Sequence, residues 1–143
     1  MNADDTSLTE SDRRKLLSKI HSVLFWVGRQ IPEEEDVEGE KVKLKDVVFR
    51  YIAKNNPSLQ EMEGAYSLAR RLQSKVDDME SQIKHADMTV REAEELLDHT
   101  LGLMRAIDEL KKRGGPGSDV KLQALLCKVD DQKRWLDFVR SLM

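Results

Sequence analysis

The sequence is poor in most of the residues that build chemistry. Cys127 is the single cysteine among 143 residues, so no intramolecular disulfide can form and a cysteine-rich zinc module is excluded. Three prolines and seven glycines rule out a collagen-like or low-complexity chain. Neither sign of charge dominates. The 24 Lys and Arg against 27 Asp and Glu leave a formal net charge of −3, which makes no global field to gather nucleic acid or an anionic membrane. The longest apolar run, Val23-Leu24-Phe25-Trp26-Val27, is far shorter than the roughly 20 residues of a membrane-crossing helix. The polar, acidic start from Met1 to Asp12 also lacks the form of a signal peptide. A soluble, cytoplasmic protein with no membrane partner is expected.

Charged residues make up 36% of the chain and hydrophobic residues 39%, and their order is helical. A chain of this length buries roughly 68–70% of its unfolded surface, enough for one core without staples. Residues 1–8 are polar and aperiodic, so they are expected to be disordered, with a single helical domain over 9–143. Thr9-Glu10-Ser11-Asp12 has the form of a capping box. The spacing of Leu16, Leu17, Ile20, Val23, Leu24, Val27 and Ile31 then predicts a helix over about 9–31 with a core-facing stripe. Pro32 ends it. Phe25 and Trp26 fall on the opposite side of that helix. They are either core of a helix contacted on several sides or a partner surface.

Beyond an acidic run, Gly39 sits between short alternating stretches that suggest a small hairpin at about 36–44. Leu44, Val47, Val48, Tyr51 and Ile52 support a short helix over about 45–55, stopped before Pro57. Ser58-Leu59-Gln60-Glu61 is a second capping box. It opens a helix whose Met62, Ala65, Ala69, Leu72, Val76, Met79 and Ile83 alternate at spacings of three and four, a heptad seam. Thr89-Val90-Arg91-Glu92 is a third box, and the short link before it requires antiparallel neighbours. The helix after it ends at Lys111-Lys112-Arg113, before Gly114-Gly115-Pro116-Gly117. Leu122, Leu125, Val129, Gln132, Leu136, Val139 and Met143 form a last seam. The expected fold is all-α: an antiparallel, coiled-coil-like bundle of helices over about 58–86, 89–113 and 119–143, with the first helix docked on it.

Chemistry is harder to find. No glycine-rich loop precedes a Lys-Ser/Thr pair. His21, His85 and His99 have no second His or Cys at i+3 or i+4, and the Glu-x-x-His pattern of carboxylate di-metal bundles fails, because Leu96 and Gln82 occupy the Glu positions. Neither metal nor cofactor is expected, and no catalytic residue is assigned. Cys127 has only Lys128 beside it to lower its pKa and is read as an incidental thiol. A helix-turn-helix outline over 45–75, with Arg70, Arg71 and Lys75, supports an alternative reading as a nucleic-acid-binding accessory protein. Against it, Glu61 and Glu63 stand at the helix start that would approach phosphates. Lys111, Lys112, Arg113 and Lys121 form a small basic patch around the glycines.

The segments Leu16 to Pro32 (LLSKIHSVLFWVGRQIP), Val37 to Leu44 (VEGEKVKL) and Lys133 to Met143 (KRWLDFVRSLM) resemble a family of small uncharacterised archaeal helical proteins. The resemblance implies an archaeal, cytoplasmic protein with no assigned activity, and no site residue follows from it. The expected function is a non-enzymatic helical interaction or scaffolding module. Its partner is another protein or a second copy, meeting an aromatic-rich surface of Phe25, Trp26, Trp135 and Phe138. Such an arrangement would make a homodimer possible.

Overall fold

A computed structural model describes residues 6–112 and 131–142 of the chain. Among these residues the fold is all-α, with one two-stranded sheet. Its elements are α1 (Glu10–Ile20), α2 (Val23–Trp26), β1 (Glu35–Val37), β2 (Glu40–Val42), α3 (Leu44–Ile52), α4 (Leu59–His85), α5 (Val90–Lys112) and α6 (Asp131–Leu142). The chain divides into two compact units. The first joins residues 1–31 to 73–105, and the second joins 32–72 to 106–143. Both α4 and α5 contribute to each unit.

In the first unit α1 starts where the capping box predicts. The Thr9 hydroxyl accepts from the Asp12 amide, and the Asp12 carboxylate accepts from the Thr9 amide, both at 3.1 Å. That amide, and then the hydroxyl, hold the Asp12 carboxyl below its ordinary pKa. Leu16 and Ile20 of α1 bury against Ile83 of α4 and Ala93, Leu97 and Leu101 of α5. Arg13 ties α1 to the end of α4, its guanidinium donating to the carbonyls of Ile83 at 2.7 Å and Ala86 at 2.8 Å. Such terminal carbonyls lack partners inside their own helix. Thr6 to Leu8, expected to be disordered, are instead ordered. Ser7 bridges Thr89, Leu8 donates to the Met88 carbonyl, Val90 donates to the Thr6 carbonyl, and the Leu8 side chain is buried. On the facing flanks of α4 and α5, the Thr100 hydroxyl sits 3.3 Å from Met79 Sδ and bonds the Leu96 carbonyl at 2.7 Å. This buried polar group is therefore satisfied within its own helix.

The first helix is shorter than its apolar spacing suggests. It stops at Ile20 and is followed by a turn and the four residues of α2. Residues 21–27, His-Ser-Val-Leu-Phe-Trp-Val, are, apart from Leu24, weak helix formers that lose side-chain freedom or bond the backbone elsewhere. Periodicity alone does not register that weakness. Leu24 and Val27, placed in the core by their spacing, are accordingly exposed.

In the second unit β1 and β2 pair antiparallel with Val37 opposite Glu40, which leaves Glu38 and Gly39 as a two-residue loop. Both have positive φ, 50° and 86°, the signature of a type I′ turn. The Asp36 carboxylate accepts from the Gly39 amide at 3.0 Å. The buried faces of Val37 and Val42 join Leu44, Val47, Val48 and Tyr51 of α3 in the interior. Ser58 and Glu61 form the box that opens α4, and seam residues Ala65, Ala69 and Leu72 are buried. Gly64 of α4 lies so close to α6 that an added Cβ would stand 2.3 Å from Phe138 Cβ. Phe138 meets the Tyr51 ring edge-on, with centroids 5.3 Å apart at 83°. Of the expected last helix, Asp131–Leu142 is observed. Its first turns, with Leu122, Leu125, Cys127 and Val129, lie outside the described residues.

Candidate interaction surface

Among the described residues, the most exposed large apolar side chains of the first unit are consecutive or nearly so: Leu24 at 86%, Phe25 at 42% and Val27 at 50%. They ride on α2 and the turn after it. Trp26, between them, points the other way and packs against the α1–α4–α5 cluster. The segment is tied down on both sides. Before it, His21 Nε2 lies 2.6 Å from Glu80 Oε1. After it, Arg29 reaches Asp98 at 2.8 Å and turns back to the Phe25 carbonyl at 3.1 Å, while Arg105 donates to the Arg29 carbonyl at 3.1 Å. Lys19 Nζ stands 5.6 Å from the Phe25 ring centroid, within cation–π range. The result is an apolar knob on an anchored base.

The four aromatics expected to form one surface do not. Trp135, 1% exposed, and Phe138, 4% exposed, are interior residues of the second unit, because α6 is amphipathic and its aromatic flank faces α3 and α4. Phe25 alone is openly exposed, and Trp26 is half-buried. Leu24 and Val27 belong to the surface instead; their neighbourhood of weak helix formers was the signal for it. The basic patch is engaged by its own surroundings. Lys111 lies 5.4 Å from the Tyr66 ring centroid, and Lys112 pairs with Asp108 at 3.1 Å and Glu109 at 3.4 Å. The hydrogen bond to Asp108 raises the Lys112 pKa above its ordinary value. Arg113 and Lys121 lie outside the described residues.

A cleft of about 230 Å³ opens in the second unit beside Lys54, Glu61, Arg134, Asp137 and Phe138, a site the sequence did not suggest. Its cations are already matched. Lys54 meets Glu61 at 2.6 Å, and Arg134 meets Glu63 at 2.5 Å in a largely buried pair. The Lys54 ammonium, followed by the Ser58 amide, holds the Glu61 carboxyl below its ordinary pKa. A carboxylate kept ionised in this way is a poor proton donor at neutral pH. In the helix-turn-helix outline, Arg71 pairs with Glu38 at 3.1 Å and Lys54 with Glu61. Among the described residues no group of three or more His, Cys, Asp and Glu side chains is placed to hold a metal ion. No helix among them is long and apolar enough to cross a membrane.

Comparison with protein families matches residues 8–140 to a family of unknown function, DUF5788. The chain belongs to that family. The match takes in the knob and most of both units and of the cleft lining. Neither curated proteins nor solved structures gave a match.

Proposed function

We propose that this family member is a non-enzymatic helical interaction or scaffolding module of the archaeal cytoplasm, whose partner is another protein or a second copy of itself. The archaeal source rests on the resemblance of Leu16 to Pro32 and Lys133 to Met143. The cytoplasmic location rests on the lone cysteine. One observation carries the functional reading: Leu24, Phe25 and Val27 face water on a segment whose two ends are anchored by His21–Glu80 and Arg29–Asp98. Anchoring means little conformational freedom is lost when the knob is covered, which is the condition under which a small apolar area contributes most. Fully burying one such side chain contributes about 1.5–3 kcal/mol, so completing the burial of these three adds roughly 3–5 kcal/mol. Association itself costs about 4–15 kcal/mol. The knob is therefore an anchor within a larger contact rather than a complete interface.

Photo-crosslinking tests this. A photoreactive residue at position 24 is expected to give a discrete protein adduct in the source cell, while the same residue at exposed position 74 is not. Equal yields, or no adduct from position 24, would overturn the proposal.

A further inference from the structure

We infer that the knob and the neighbouring edge of α1 form a single docking site for an acidic, apolar-bearing segment of a partner protein. The inference rests on the interaction reading above and adds the partner's chemistry. From Arg13 to Pro32 the chain carries Arg13, Arg14, Lys15, Lys19 and Arg29 and no carboxylate, a local excess in a protein whose net charge is −3. Two of these cations are committed elsewhere: Arg13 to the carbonyls that end α4, and Arg29 to Asp98. Arg14, Lys15 and Lys19 remain, and among the described residues none of them meets a carboxylate at ion-pair distance, although Lys15 feels the charge of Asp12.

Lys15 and Lys19 are one helical turn apart, so they share a face of α1. Lys19 ends that row above the Phe25 ring, which makes the cationic ridge continuous with the apolar knob. A segment that lays an apolar side chain against Leu24 and Phe25 brings its next residues over the ridge, where carboxylates complete the contact. A flat anionic bilayer fits less well. It would also meet Asp98, two-thirds exposed beside Arg29, and Glu80 beside His21, and their charge opposes lipid phosphates within a Debye length.

The test is selection from a random peptide display library against the full chain, followed by titration of the synthesised winner. Peptides combining Asp or Glu with large apolar residues are expected, with binding that weakens as salt rises. Leu24→Ser is expected to weaken binding about tenfold through lost burial, and Lys15→Glu with Lys19→Glu about tenfold or more through reversed charge. Leu24 and Lys15 are exposed, so Leu24→Ser should melt with the wild type, whereas Lys19 is half-buried against Phe25 and the double variant is expected to melt a few degrees lower. Should the double variant unfold, Leu24→Ser alone and the salt dependence decide. Enriched peptides that are neutral or basic and depend on Leu24 would sink the acidic partner while leaving the interaction module intact. So would knob-dependent light-scattering evidence of a dimer. Knob-dependent binding to phosphatidylserine-containing vesicles with no enriched peptide, or no knob-dependent binding at all, would sink both.

Discussion

Changing Gly64 to alanine should reverse the usual sign of a helix substitution. In a helix interior alanine is about 1 kcal/mol more favourable than glycine, and position 64 lies within the first two turns of the 27-residue α4. The new Cβ, however, would stand 2.3 Å from Phe138 Cβ, 2.9 Å from its Cγ and 3.2 Å from its Cδ1. Carbon atoms rest at about 3.5–4.0 Å, so α4 and α6 must part by more than an ångström. Overpacking of this kind costs about 1–3 kcal/mol and occasionally more. Loss of the Tyr51–Phe138 edge contact adds about 0.5–1.5 kcal/mol. After subtracting the propensity gain of about 1 kcal/mol, Gly64→Ala should be about 2 kcal/mol less stable, within a span of about 0.5–3.5 kcal/mol. For a protein of this size that is a fall of roughly 5–10 °C in the thermal midpoint, measurable by far-ultraviolet circular dichroism. Phe138→Leu should not rescue it, because leucine keeps the obstructing Cβ. Gly28→Ala is the control, since no atom lies within 4 Å of its added Cβ, and it should melt within a few degrees of the wild type. A Gly64→Ala protein as stable as the wild type, or more so, would show that α4 and α6 do not touch there.

Glu38 occupies a positive-φ position that favours glycine or asparagine but also pairs with Arg71, so the turn is tested in an Arg71→Met background, where Glu38→Asn should stabilise by about 0.5–1 kcal/mol in urea titration; a lower midpoint there would refute the type I′ turn. Arg13→Met removes both charged hydrogen bonds to the end of α4 and should cost about 2 kcal/mol. Arg13→Lys should recover only part of that, since an ammonium lacks the planar fork; full recovery would refute the two-carbonyl geometry. Glu61 is held below its ordinary value of 4.5, so the unfolded chain takes up its proton first as pH falls. Its stabilising contribution is thus complete above about 4.5 and is lost as pH drops through the folded pKa. The gap in thermal midpoint between the wild type and Glu61→Gln should narrow in acid, and a gap that stayed constant would refute the Lys54–Glu61 pairing.

Much of the fold was legible because local chemistry and tertiary packing agree. Thr9, Ser58 and Thr89 each stand at a helix start, and each accepts from the amide three residues on. The Leu59–His85 and Val90–Lys112 boundaries fall within one residue of those read from the sequence. The Glu-Gly turn at 38–39 follows from glycine's tolerance of positive φ. The first helix was overestimated because hydrophobic spacing continues through residues 21–27, whereas backbone propensity does not. Spacing therefore puts Leu24 and Val27 inside although they face water, while Trp135, expected at a surface, is interior because the aromatic flank of α6 faces α3 and α4. The division into two units leaves no local mark, since α4 and α5 run through it without a glycine or proline at residues 72–73 or 105–106. The Lys54–Glu61 and Arg134–Glu63 pairs join residues far apart along the chain or on different elements, so no short motif announces the cleft.

The interleaved order of the two units sets a timetable for biosynthesis. Residues 6–31 leave the ribosome before the rest of their unit, which is complete only after the 74 residues from Pro32 to Arg105 have followed. At about 5–20 residues per second that interval is roughly 4–15 s. Until α5 has emerged, Leu16 and Ile20 lack Ala93, Leu97 and Leu101, against which they pack. A nascent chain stalled anywhere before the close of α5 displays this bare aliphatic flank, giving chaperones and degradation machinery a target that the finished molecule hides.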